Sequence, residues 1–183
     1  MFEKYLIHHC SPTLASLKTA NLVNISFTCR DDLEKQLSHW NERLGHKGVS
    51  LLVLLAKERT ALVYVFRRAK LQKELACPKM AAFLKEYGYQ STDVDYAIER
   101  LRSRLQENGK FPHEIGVFLG YPLGDVIGFI EHEGKNCKCA DCWKVYCDEH
   151  EARKTFAKFK KCRDVYARLW QEGRSIWKLT VAA

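Results

Sequence analysis

The chain has 183 residues, 46% of them hydrophobic and 28% charged, and carries a formal net charge of +8. That length and balance describe one soluble domain able to bury a core, and they exclude a chain too polar to fold. The longest apolar run, Val49 to Ala56, is less than half the roughly 20 residues that a membrane helix needs, so no membrane association is expected. The start, Met1 to His9, lacks a basic stretch followed by a long apolar run, so no secretion signal is expected. The eight cysteines are then expected in a reducing cytoplasm, where thiols serve metal ligation, catalysis or packing more often than disulfides.

Residues 1–9 read as a short amphipathic helix ending before Ser11-Pro12, because the residue before a proline avoids the helical region. A strand is expected around Leu22–Phe27. A helix follows, capped by Asp31 or Asp32, with Leu33, Leu37, Trp40 and Leu44 on one face and Gly45 as its stop. Val49–Ala56 and Ala61–Arg67 are continuous apolar runs around Lys57-Glu58-Arg59-Thr60, the pattern of a hairpin covered on both faces. Leu71–Ala76 and Lys79–Tyr87 read as two short helices broken at Cys77-Pro78. Thr92 is the expected cap of a longer helix bearing Val94, Ile98, Leu101 and Leu105, stopped by Asn108-Gly109. Between Phe111 and His132 two short helices are expected, each with a proline in its first turn, joined at Gly120-Tyr121. Asp148–Glu172 is the longest helical pattern, with Phe156, Phe159, Cys162, Tyr166 and Leu169 on one face; Ser175–Val181 reads as a last strand. The expected fold is α+β: one mostly helical domain over residues 1–183, with a small, largely antiparallel sheet built around the hairpin. A Cys-rich loop and a long basic C-terminal helix occupy 136–172.

Four of the eight cysteines fall within eleven residues, and two ligand sets compete for a metal there. Cys137, Cys139, Cys142 and Cys147 make a compact C-x-C-x2-C-x4-C set. The alternative takes the Cys139/Cys142 knuckle, adds Cys162 from the inward stripe of the following helix, and draws a fourth ligand from Cys10, His9 or His8. Either set suits zinc or an iron–sulfur cluster. A redox dithiol at Cys139/Cys142 and plain packing are the other uses.

Two further constellations carry chemistry. His113 beside Glu114 suggests an acid–base pair, although Val117 stands where a zinc-protease motif needs its second histidine. Cys10, in His8-His9-Cys10-Ser11-Pro12-Thr13 followed by Lys18, is a candidate nucleophile or redox thiol for a cysteine-dependent enzyme in which His113 and Glu114 serve as acid and base. The last helix bears Arg153, Lys154, Lys158, Lys160, Lys161, Arg163 and Arg168. With nearby Trp143, Tyr146, Trp170 and Trp177 it suits nucleic acid or an acidic protein, or simply a solvated face.

His9-Cys10-Ser11-Pro12-Thr13-Leu14 with Lys18, Phe111 to Pro122, Lys138 to Tyr146, and Lys160-Lys161-Cys162 together resemble the bacterial domain-of-unknown-function family 3793. The resemblance runs over nearly the whole chain. Its pattern includes Cys10, Cys139, Cys142 and Cys162 and leaves out Cys29, Cys77, Cys137 and Cys147, so it implies the second ligand set. It further implies a role in iron or redox metabolism, with an acidic redox protein such as flavodoxin docking on the basic helix.

Overall fold

A computed structural model describes residues 2–107 and 111–182. In chain order the elements are α1 (Phe2–Leu14), β1 (Ala20–Ser26), α2 (Arg30–Gly45), β2 (Val49–Ala56), β3 (Thr60–Arg67), α3 (Arg68–Leu75), α4 (Pro78–Glu86), α5 (Val94–Gln106), α6 (Ile115–Phe118), α7 (Leu123–Glu131), β4 (Cys139–Ala140), β5 (Lys144–Val145), α8 (Glu149–Gln171) and α9 (Ile176–Leu179). The fold is the expected α+β arrangement, mostly helical around an antiparallel sheet ordered β1-β3-β2. No helix among the described residues is long and apolar enough to cross a membrane.

The hairpin's continuous apolar runs have the expected cause, since helices cover both sheet faces. Val23, Ile25, Leu51, Val63 and Val65 pack on one side with α1, α2 and α9. Leu54, Tyr64 and Phe66 pack on the other with the α3–α7 segment. Alternation in β3 thus separates two cores, both closed to water. The outer edge of β2 is occupied by side chains. Asn41 donates to the Leu51 carbonyl (2.8 Å) and accepts from its N–H (2.7 Å), and Arg102 donates to the Val53 carbonyl through Nε (3.0 Å) and Nη2 (2.8 Å). These bonds block strand addition at that edge.

Several boundaries differ from expectation for local reasons. Helix α1 continues through Pro12 to Leu14. A proline in the last turn forfeits only one ladder bond, and the buried Ser11 hydroxyl donates to the Ile7 carbonyl. Arg67, 2% exposed, fixes this helix end by donating to the carbonyls of Thr13, Leu14 and Val181 at 2.7 Å each, and to that of Lys47 at 3.2 Å. A buried guanidinium is tolerated when its donors meet acceptors, and here backbone oxygens supply them. The cap of α2 is Cys29, with Asp31 and Asp32 in the first turn, where carboxylates meet the positive helix end. The cap of α5 is Asp93, whose Oδ1 accepts from the Tyr96 N–H at 3.0 Å, and not Thr92. Its expected stop at Asn108-Gly109 lies outside the described residues. Pro112 precedes α6 and Pro122 is the N-cap of α7, so neither proline sits inside a first turn. The expected last strand is the short helix α9, because Ser175 caps it and the Thr180 hydroxyl bonds back to the Ile176 carbonyl (2.8 Å).

Candidate functional site

The Cys-rich loop folds as a small hairpin, with Cys139 opposite Val145 and Ala140 opposite Lys144. Strands of two residues cannot hold themselves, and α7 supplies the anchor. Asp125, 3% exposed, accepts from the Trp143 indole N–H through Oδ2 and from the backbone N–H groups of Tyr146 and Cys147 through Oδ1, all at 2.8 Å. Close approach depends on Gly128, where a Cβ would stand 2.6 Å from the Tyr146 side chain. Trp143 stacks on Tyr121 (5.1 Å between ring centres) and meets Phe156 of α8 edge-on at 4.5 Å. The Tyr121 hydroxyl donates to the Cys142 carbonyl at 3.1 Å.

Seated this way, the hairpin closes one wall of a cavity of about 270 Å³ whose lining includes His9, Lys18, Asn21, Tyr121, Cys142 and Arg163. They come from four separated parts of the chain, and α1 meets α8 along much of its length to bring them together. Lys18 is only 8% exposed, and its ammonium lies 5.1 Å from the centre of the Tyr121 ring. Among the described residues no carboxylate pairs with Lys18 and no acceptor hydrogen-bonds to it. Burial pushes its amine down to about 8; the thiols of Cys142 and Cys10 oppose that shift and Arg163 adds to it. Arg163 donates to the Cys142 sulfur at 3.9 Å, and it too lacks a carboxylate partner among the described residues. Burial raises the Cys142 thiol above its ordinary value, against the pull of Arg163. The site therefore holds two cationic side chains that no carboxylate among the described residues pairs with, although Lys18 also borders a cavity of about 360 Å³ whose lining includes Glu74, Asp125, Asp148 and Glu151.

The four predicted ligands are not gathered into one set. Cys10 is wholly buried in the core under α1, where desolvation pushes its thiol up to about 12. Cys162 is buried on α8, its thiol raised to about 11 by the same cause. Cys139 lies half-buried in a minor core with Val145 and Phe156, while Cys142 faces the cationic cavity. No group of three or more His, Cys, Asp or Glu side chains among the described residues could hold a metal ion, and this covers the compact set with Cys137 and Cys147 as well. His113 and Glu114 are adjacent in sequence but have separate partners. The exposed His113 ring packs on Phe129 at 4.9 Å, beside a second cavity of about 330 Å³. Glu114, 1% exposed, accepts from Arg104 Nε at 2.8 Å and from the Tyr89 hydroxyl at 3.3 Å. On α8, Arg153 and Lys154 pair with Glu149 and Glu151 of the same helix, leaving Lys158, Lys160 and Lys161 as its exposed positive stretch.

Spacing among the cysteines pointed to Cys142 but not to Asn21, Tyr121, Asp125 or Arg163. The available signal was position: Tyr121 lies within the middle motif, just before its last residue Pro122, and Arg163 follows Cys162.

This is an α+β protein whose pocket is built by four separated motifs, those with Lys18, Tyr121, Cys142 and Arg163. The family described as "Protein of unknown function (DUF3793)" matches residues 6–180, and the chain belongs to that family. No curated protein and no solved structure matches it.

Proposed function

We propose that this protein binds a small oxyanion-bearing molecule, a phosphate or carboxylate compound, in the cavity between α1, the cysteine hairpin and α8. The observation that carries this reading is Lys18, a residue 8% exposed whose ammonium opens onto the cavity with no counterion among the described residues. Taking such a charge out of water costs several kcal/mol unless a partner compensates, and a ligand anion is the partner the cavity lacks. Arg163 adds a planar donor suited to carboxylate or phosphate oxygens. The test is thermal unfolding with inorganic phosphate, against sodium chloride of equal ionic strength. At one hundred times the dissociation constant the ligand contributes about 2.7 kcal/mol. For a chain of this size that is a rise of roughly 5–10 °C in melting temperature. No rise above the chloride control overturns the reading, and Arg163→Gln is expected to weaken the response.

A zinc or iron–sulfur centre at Cys139, Cys142, Cys162 and Cys10 rests on cysteine spacing, without a gathered donor set behind it. Stoichiometric metal in anaerobically purified protein, lost on Cys142→Ser, would establish it. Docking of an acidic redox protein such as flavodoxin, or of nucleic acid, on Lys158, Lys160 and Lys161 rests on charge alone.

A further inference from the structure

We infer that Lys18 is a carbonyl-condensing residue and that the anion bound in the cavity is carried by an aldehyde or ketone, such as a 2-oxo acid or a phosphorylated aldehyde. The inference rests on the anion-binding reading and narrows its ligand. Lys18 lines the cavity with nine-tenths of the residue buried, its ammonium over the face of Tyr121 and Arg163 in the same lining. That placement divides the labour: Arg163 takes the anionic group, and the amine meets the atom next to it.

The surroundings also match what condensation demands. An amine adds to a carbonyl only as the neutral base, and burial that brings Lys18 down to about 8 leaves roughly a tenth of it neutral at pH 7. The nitrogen lone pair bonds to the carbonyl carbon, the carbonyl oxygen takes up a proton, and the nitrogen loses one. The resulting carbinolamine then loses its hydroxyl as water, giving an imine between Lys18 and the ligand carbon. One water leaves for each ligand bound, and no electrons are exchanged. His8 and His9 line the same cavity and supply imidazoles for the proton transfers. Asn21 accepts from the Thr13 hydroxyl at 2.7 Å through its amide oxygen. Its NH2 group has no acceptor among the described residues and is available to the ligand oxygen.

Cys142 is the other nucleophile in the cavity. Its adduct with an aldehyde would be a hemithioacetal, which forms without loss of water and is not fixed by borohydride, so the two routes separate experimentally.

The experiment incubates the full chain with pyridoxal phosphate or pyruvate, reduces with borohydride and maps the modified peptides. Lys18 is expected to be labelled on the order of tenfold faster than the exposed Lys158, Lys160 or Lys161, because only at Lys18 does the cavity hold the carbonyl beside the amine. Inorganic phosphate is expected to slow that labelling. Lys18→Arg keeps the charge but has no condensing amine, and is expected to lose the adduct. Labelling spread over surface lysines without Lys18 overturns the inference. Stabilisation by phosphate with no adduct on Lys18 overturns it too, yet leaves the anion reading standing. An adduct on Lys18 with no stabilisation by phosphate overturns the anion reading.

Discussion

Replacing Lys18 by methionine is expected to raise the melting temperature at pH 7 and to abolish the response to phosphate. Methionine has nearly the same length and shape, so it fills the space without a charge. The gain follows from the amine's displacement from an ordinary value of 10.5 to about 8, caused first by desolvation. A lowered lysine value means that the unfolded chain holds its proton more tightly than the folded one. Below about pH 8 both states are protonated and the folded state bears the full penalty. As pH rises from about 8 towards 10.5 the folded amine releases its proton, the penalty shrinks, and above 10.5 it is gone. Its size is on the order of 3 kcal/mol at pH 7, which translates to a rise of roughly 6–12 °C for a chain of this length. Urea midpoints of wild type and variant, measured from pH 6 to 10, are expected to converge as pH rises. A variant less stable than wild type at pH 7 would mean that the folded protein already supplies Lys18 with a partner. The pairing of higher stability with lost binding is what separates a functional cation from a structural one.

The fold was largely legible because its elements carry long patterns. The α2 stripe of Leu33, Leu37, Trp40 and Leu44 and the two apolar runs of the hairpin are each repeated often enough for period and burial to agree. Misplaced elements were short or decided by a single contact. Helix α9 has four residues and owes its form to Ser175 and Thr180, while α1 passes Pro12 because Arg67 binds its last carbonyls. The site was legible as a set of motifs and not as a mechanism. Cysteine spacing counts residues between thiols but says nothing of where each side chain points. Cys10 follows Leu6 by four residues and precedes Leu14 by four, which puts it on the inward face of α1 and explains why it lies in the core. What makes Lys18 and Arg163 notable is a missing carboxylate, and pairing is decided by tertiary neighbours that a linear reading does not contain. Asp125 escaped notice likewise, since its three partners lie 18 to 22 residues away on the hairpin that it holds.

Asp125→Ala is expected to detach that hairpin while leaving the two main cores folded. The carboxylate satisfies one indole N–H and two backbone N–H groups in a buried position, and alanine leaves all three without an acceptor. Each buried donor left without an acceptor costs about 1–3 kcal/mol. Part of that is recovered if the freed donors reach water, and they reach it only if the hairpin lifts from α7. Opening is therefore the expected response, and it takes Cys142 away from Arg163 and the phosphate response with it. Alkylation of Cys139, Cys142 and Cys147 should speed up, Trp143 fluorescence should shift to the red, and Cys10 should stay protected under α1. Equal acceleration at Cys10 would mean that the whole domain has loosened, and unchanged labelling would mean that Trp143, Val145 and Phe156 hold the hairpin without Asp125. Asp125→Asn sharpens the distinction. Its oxygen can still accept from Tyr146 and Cys147, but its NH2 group then faces the Trp143 N–H, donor against donor. A smaller loss of about 1–3 kcal/mol, with the fluorescence shift but slower cysteine labelling than in Asp125→Ala, is expected. That ordering, Ala above Asn above wild type, would assign the hairpin's closure to the carboxylate's three bonds and tie the shape of the cavity shared by Lys18, Cys142 and Arg163 to a residue outside its lining.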